Sequence, residues 1–522
     1  MKKLNNKGYL LVEIIVASVL AMTIAYFLID LTLNLKEKND DVFVDTILVT
    51  DKMLMTDTIQ EDIGRYRVTK LSQPSDNMLD ITYQINGSDV IKRISIESID
   101  DRYLFKYGTI DASGNYDNTV YQKEFNEALD VDRIILSNSC YNEASDTYVA
   151  CSSSADNGNG IMTIKISAYT LYSDKDYGIN ISVPYKTSEI VVEEYTGPRE
   201  IVDEIKELGT KECVPVTDTA TTDEGVCTAE DDYGTSYVFR GDISYNYVKY
   251  AGYYWRIIRI NGDGSIRMIY DGTVAHANGE DSSDREIGKS EFNLGSADNA
   301  YVGYMMGIEI QCPGGGGCLG MVSSTSYNQA HTNTYNSTIK TVLDNWYKTN
   351  IVDKGYSDKV ADVIYCNERK LLNGNGYGKT SSYYYAINRL ITNTSPTSIT
   401  PVLTCSQKND AFTVSDISKG NGALTYPVGL ITADELVMGG ALVFSGNVSY
   451  YLYSGSTYWT MTPHGYYDRS ASADVYQASG HGYFREFYVH DASGVRPVIA
   501  LKSDTLFKGK GTMTEPYEVV DE

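Results

Sequence analysis

Glu13 stands inside an apolar run that extends from Tyr9 to Leu35, and Lys2, Lys3 and Lys7 precede that run. A carboxylate in such surroundings raises the free energy unless a cation or hydrogen-bond donors meet it, so an ionisable residue there is a functional signal. The chemistry it suits is pairing with an ammonium group brought by a neighbouring chain, which would set the register of an assembly. Eight cysteines offer a second chemistry. They fall as near neighbours, Cys140 with Cys151, Cys213 with Cys227, Cys312 with Cys318 and Cys366 with Cys405, which suits loop-closing disulfides formed outside a reducing cytosol. Zinc is the rival, but no CxxC occurs and no Cys pair has His at finger spacing. Connectivity stays open, because eight cysteines allow many pairings.

Catalytic patterns are missing elsewhere. His276, His331, His464, His481 and His490 show no HExxH or other ligand spacing, and the sequence holds no GxSxG elbow. The run Gly314 to Gly317 between Cys312 and Cys318 lacks the Lys-Ser or Lys-Thr of a phosphate loop. Asn261-Gly262-Asp263-Gly264 reads as a hairpin turn, since no twelve-residue loop closing on Glu follows it to bind calcium. No metal, no cofactor and no enzyme activity are therefore expected. The best candidate for a ligand surface is the Tyr-rich stretch from Tyr450 to Tyr488, with Tyr451, Tyr453, Tyr458, Trp459 and His464 as contacts for a glycan or a protein. The competing reading is that half or more of these rings line sheets and loops.

The elements that position these residues begin with the apolar run. About twenty apolar residues cross a bilayer as a helix, and the Lys cluster places the short N-terminal side in the cytoplasm. A secretory signal would end its apolar segment sooner and at a small-residue site, so the run is expected to be retained. A simple single-pass anchor explains the run equally well but leaves Glu13 without a role. Apolar positions from Val42 to Ile59 recur at three- and four-residue steps, which predicts that the helix continues to Gly64.

Lys7-Gly8-Tyr9-Leu10-Leu11-Val12-Glu13 resembles the type IV prepilin signature. The resemblance implies cleavage after Gly8 by a prepilin peptidase, Tyr9 as the methylated new N-terminus, and Glu13 as the residue that assembles with other pilin subunits. Tyr9 departs from the commoner Phe within the aromatic class. Asp30, inside the apolar run, is read as a tolerated charge near the outer interface.

From Arg65 to Pro184 short runs such as ITYQI, YLFKYGTI and MTIKISAYTLY alternate with Asn, Gly, Asp and Ser clusters, which predicts an antiparallel sheet closing on the helix. Its architecture resembles a minor pseudopilin head. A Thr- and Asp-rich stretch around Cys213 and Cys227 reads as a linker with one clipped loop. Beyond it, hairpin strands around Tyr253 to Tyr270 come first. Helical patterns follow at Thr338 to Tyr347 and Ala433 to Gly440, the latter capped by Thr432, and a closing strand ends the module at Leu501. Trp459 and the closing Val495-Arg496-Pro497-Val498-Ile499 resemble the C-type-lectin-like fold in its formylglycine-generating-enzyme branch, as in surface domains of Firmicutes. Enzymes of that branch need a reactive Cys late in the domain, and no Cys follows Cys405.

The expected organisation is a leader over 1–8, a transmembrane and assembly helix over 9–64, and a β head over 65–195. A linker over 196–232 and an α+β surface module over 233–510 complete it. The fold class is α+β, with a long N-terminal pilin helix. The net charge of −25 argues against nucleic acid as a partner. With 45 Tyr against 11 Phe and 3 Trp, the aromatic content favours rings with a polar tip, as at binding surfaces. The expected function is a minor pilin or pseudopilin held first in the cell membrane and then near a filament tip, presenting an adhesive module. The alternatives are a structural pseudopilin of a type II secretion or DNA-uptake machine, and a tethered surface enzyme.

Overall fold

The computed structural model describes residues 53–99, 102–125, 129–142, 147–150, 159–170, 179–186, 191–193, 197–310, 323–391, 399–443 and 445–520. Two compact units divide the chain, Met1–Gly197 and Pro198–Glu522.

The first unit opens on helical residues 53–65, here α1. Met55 and Ile59, one turn apart, are fully buried while Met53 and Leu54 face solvent, so α1 lays a single apolar stripe on the sheet that follows. That sheet has the order β10-β1-β2-β3-β4-β5. Its strands are β1 (Arg67–Ser75), β2 (Met78–Ile85), β3 (Ser88–Ile99), β4 (Arg102–Ile110) and β5 (Tyr116–Glu124), with β10 (Val191–Glu193) parallel to β1. Asn86 and Gly87 take φ values of 52° and 81° between β2 and β3, the left-handed pair that a two-residue hairpin of right-handed twist requires. A second sheet, β7-β6-β8-β9, comprises β6 (Leu129–Asn142), β7 (Thr147–Ala150), β8 (Asn159–Thr170) and β9 (Ile179–Lys186). Ile164, Ile166 and Ile181 from it join Leu71, Ile81 and Phe105 in one core. Asp62 ties α1 down: it accepts from Lys92 Nζ at 2.6 Å and from the Tyr107 hydroxyl at 2.8 Å, and Tyr107 in turn lies 3.0 Å from the Tyr83 hydroxyl.

The second unit begins with α2 (Val202–Glu207) and β11 (Gly209–Glu212), followed by β12 (Asp223–Asp231), β13 (Gly234–Gly241), β14 (Tyr247–Tyr250), β15 (Tyr253–Ile260) and β16 (Ile266–Gly272). With Val498–Leu501, Phe507–Lys508 and Tyr517–Val519 these strands make a nine-stranded sheet. Part of the segment read from sequence as a linker thus supplies α2, β11 and β12 to this unit. The turn between β15 and β16 is Asn261 to Gly264, closed by Asn261 N donating to Ser265 O at 2.9 Å, with Gly264 at φ 83°. A seven-stranded sheet contains Ser382–Tyr384, Tyr458–Tyr467, Ser472–Ala478 and Phe484–Tyr488. Between the sheets lie Thr338–Tyr347 and Ala433–Gly439, the two longest helices described in this unit. The second starts on a capping box, in which Thr432 Oγ1 accepts from Glu435 N and Glu435 Oε2 accepts from Thr432 N at 2.9 Å.

The α+β expectation with a long N-terminal helix is corrected. The fold is mostly β, 40% strand against 17% helix, and no long helix is present among the described residues. The reason lies in the residues: β-branched and tyrosine-rich segments with period-2 patterning pair into sheets, and the helical patterns between them are one to three turns long. Residues 1–52, which carry most of the expected helix, lie outside the described residues. Among the described residues no helix is long and apolar enough to cross a membrane.

Candidate functional site

Gly8, Tyr9 and Glu13 lie outside the described residues. Of the cysteines, Cys213 bonds to Cys227 and Cys366 to Cys405, as two of the near-neighbour pairs in sequence suggested. Cys151, Cys312 and Cys318 lie outside the described residues, and of Cys140 only the backbone, in β6, is described. Among the described residues no group of three or more His, Cys, Asp or Glu is placed to hold a metal ion.

Of the five contacts named in the Tyr450 to Tyr488 stretch, four are buried and not presented at the surface. Tyr451, Tyr458 and Trp459 are core residues with at most 1% exposure, and His464 is 5% exposed. The polar ends of Tyr458 and Trp459 are satisfied inward. The Tyr458 hydroxyl donates to Leu452 O at 2.8 Å and Trp459 Nε1 to Ser290 O at 2.8 Å. Tyr453, half-buried, donates to Gly480 O at 3.1 Å. A tyrosine gives up little by going inside when a carbonyl waits for its hydroxyl, which is why composition alone placed these rings on the wrong side.

Two clusters in this unit carry chemistry that no local spacing announces. The first surrounds a cavity of about 30 Å³, room for a water molecule or two and no organic ligand. Glu435 Oε1 receives Arg259 Nε at 3.0 Å and Arg267 Nε at 2.6 Å, and Arg259 also reaches Asp231 at 2.6 Å. Arg389 forks onto Asp434 at 2.7 and 2.8 Å and meets Glu368 at 2.5 Å. Burial alone would raise the Glu435 carboxyl, but the guanidiniums of Arg267 and Arg259 outweigh it and hold it down at about 2. Each of these buried charges has an opposite one in contact. The disulfide between Cys366 and Cys405 borders the cavity and clamps the segment that carries Glu368 and Arg389.

The second cluster lies across four strands of the seven-stranded sheet. One row runs Tyr383, Gly465, Asp474, Tyr488. Since side chains alternate between faces, Asp474 shares its face with Tyr476 two residues on and with Glu486 opposite Tyr476. The Tyr383 ring stands at 84° to Tyr467, 5.3 Å away, and at 87° to His464. His464 lies near-parallel to Tyr467 at 5.9 Å and edge-on to Tyr476 at 5.0 Å. Burial pushes the Asp474 carboxyl up to about 8, with the nearby Glu486 carboxylate adding to it, and burial pushes His464 down to about 4. Asp474 is 2% exposed, yet its Oδ1 has no hydrogen-bond partner, nor have His464 Nδ1 and the Tyr476 hydroxyl. Of the contacts named from sequence His464 belongs to this cluster, and Tyr467, Tyr476 and Tyr488 come from the same Tyr-rich stretch; Tyr383, Asp474 and Glu486 were missed.

No family model matches the chain, and neither a curated protein nor a solved structure matches it.

Proposed function

We propose that the chain is a minor pilin-type subunit, cut after Gly8 by a prepilin peptidase and joined to other pilin subunits through Glu13. It passes from the cell membrane to the cell surface or a filament near its tip, where its second unit binds a target. The observation that carries this is the motif from Lys7 to Glu13 set directly before an apolar run that extends to Leu35. A carboxylate so placed is costly in isolation and becomes favourable when the α-amine of an adjacent subunit meets it.

Two further features support it. Met55 and Ile59 are buried in the first unit's core, so the chain following the apolar run leads into a folded β head. The Cys213–Cys227 and Cys366–Cys405 disulfides suit a compartment outside the reducing cytosol. The test is Glu13→Ala in cells that assemble the filament. The variant is expected to be cut after Gly8 and to be missing from sheared filaments, whereas incorporation at the normal level would sink the proposal. Immunogold labelling along the whole shaft would sink the tip placement alone.

A further inference from the structure

The strand Phe484–Tyr488 is an edge of the seven-stranded sheet. It pairs along its length with Ser472–Ala478, and among the described residues a single parallel bridge, Val443 with Phe484, joins it to any other strand or segment. Both ends are fixed. Phe484 and Val489 are fully buried, and Val489 N donates to Ala473 O at 3.0 Å. The middle is held less firmly: Arg485, Glu486 and Phe487 are half-buried and Tyr488 is 42% exposed, so little apolar area keeps residues 485–488 down.

Beneath this middle lies an unfavourable pair of carboxyls. Asp474 stands opposite Tyr488 and Glu486 opposite Tyr476, so the two acids are diagonal neighbours on one face of the strand pair. Asp474 is 2% exposed. Glu486 on the edge strand and Asp491 just beyond it both act against its ionisation, and Ser472 on its own strand supplies a hydrogen bond. The other titratable groups of this face are Tyr476, Tyr467, His464 and Tyr383. From behind, Arg389 and Asp434 act on Tyr476 and are paired with each other at 2.7 Å. Arg485 turns to the opposite face and lies 5.4 Å from the Phe487 ring centre, so it offers Asp474 no countercharge.

One proton therefore decides how this face is loaded. When it leaves Asp474 for water, a second carboxylate stands buried beside the first with no cation to meet it. Raising residues 485–488 relieves both faults, because it admits water to Asp474 and carries Glu486 away.

We propose that residues 485–488 form a latch set by the proton on Asp474: they lie against Ser472–Ala478 while Asp474 is protonated and lift from it when Asp474 ionises. Lifting uncovers the main-chain donors and acceptors of Ser472–Ala478 that the edge strand now pairs. Burial, with Glu486 adding to it, pushes the Asp474 carboxyl up to about 8, against an unfolded value of roughly 3.9. The latch is thus fully set in acid and loosens as pH rises from about 4 to about 8.

The experiment is hydrogen-deuterium exchange of the full-length chain in non-ionic detergent, followed by mass spectrometry from pH 5 to pH 8 and corrected for the intrinsic rate. Protection of residues 485–488 should fall by up to about tenfold per pH unit, the limit for one linked proton, while protection of Tyr253–Ile260 should not follow it. Asp474→Asn, the same shape without the titration, should flatten the profile, with thermal unfolding confirming that the variant folds. Glu486→Gln should raise the protection of residues 485–488 at pH 7.5 about twofold by removing the cross-strand repulsion. The parent's own profile and Glu486→Gln decide the matter should Asp474→Asn fail to fold. A flat profile in the parent, an equal fall in Tyr253–Ile260, an undiminished fall in Asp474→Asn, or unchanged protection in Glu486→Gln would overturn the proposal. None of these results touches the Glu13→Ala phenotype, so the two proposals fail separately.

Discussion

The cavity around Glu435 and the face around Asp474 are built from the same materials, buried carboxyls among polar and aromatic neighbours, and they differ in pairing. Around Glu435 three guanidiniums meet Asp231, Glu368, Asp434 and Glu435 within 3.0 Å. Around Asp474 the second carboxyl brings repulsion instead, and Asp474 Oδ1, His464 Nδ1 and the Tyr476 hydroxyl are left without partners. Closed networks of the first kind specify how segments distant in sequence meet. Open arrangements of the second kind are held in place by the surrounding fold, at a cost in stability.

The sharpest way to break this contrast is to remove one carboxyl from each. Glu435→Ala strands the buried Arg267 and leaves Arg259 with Asp231 alone, and should cost about 3–5 kcal/mol in urea unfolding, whereas Glu486→Gln should stay within about 0.5 kcal/mol of the parent. Similar losses at both positions would erase the distinction. Next in size, replacing Cys366 and Cys405 together by Ser should cost about 3–4 kcal/mol, because the bond closes a loop with a sequence separation of 39 that carries two members of the closed network. Removing Cys213 and Cys227 instead shortens the constrained loop to a separation of 14, so a smaller loss is expected there.

The pH dependences run in opposite directions. Glu435, held at about 2 by Arg267 and Arg259 against the pull of burial, is below its unfolded value of roughly 4.3. Its contribution is present above that unfolded value and is lost as pH falls through about 2. Asp474, pushed up to about 8 by burial and by Glu486, stands above an unfolded value of roughly 3.9. Folding holds its proton, so its contribution is full in acid and is lost as pH rises from about 4 to about 8. Asp474→Asn should therefore be more stable than the parent at pH 7.5 by on the order of 1 kcal/mol or more, and near the parent at pH 4, in chemical denaturation. A variant less stable at pH 7.5 would show that the hydrogen bond from Ser472 outweighs burial. Among the substitutions expected to destabilise, the smallest effect is that of Tyr383→Ala, about 0.5–1.5 kcal/mol from its edge contacts with Tyr467 and His464.

Local features were legible in sequence because local rules govern them. The Asn261 to Gly264 turn, the Thr432 cap with Glu435 three residues on and the Val498–Leu501 strand stand where turn chemistry, capping and a short continuous apolar run put them. The α+β assignment failed because helical windows such as Thr338–Tyr347 were weighed equally with the many short strands around them. The candidate site was hidden for a different reason. Tyr383, Gly465, Asp474 and Tyr488 become neighbours only through strand register across more than a hundred residues, and no spacing in the chain encodes that. Glu435 shows the same limit from the other side: its cap role is local and legible, while its arginines come from β15 and β16, more than 160 residues earlier.

Where the second unit begins, Arg199 N donates to Phe507 O at 2.9 Å and Phe507 N to Arg199 O at 2.8 Å. Chain entering the unit therefore lies beside chain about to leave it. Such a body behaves as a cassette: it can be spliced into a host protein at one exposed loop without stretching the host's own ends apart. Recombination could thus exchange this unit while keeping whatever carries it, and the same geometry lets an experimenter transplant Pro198–Glu522 whole.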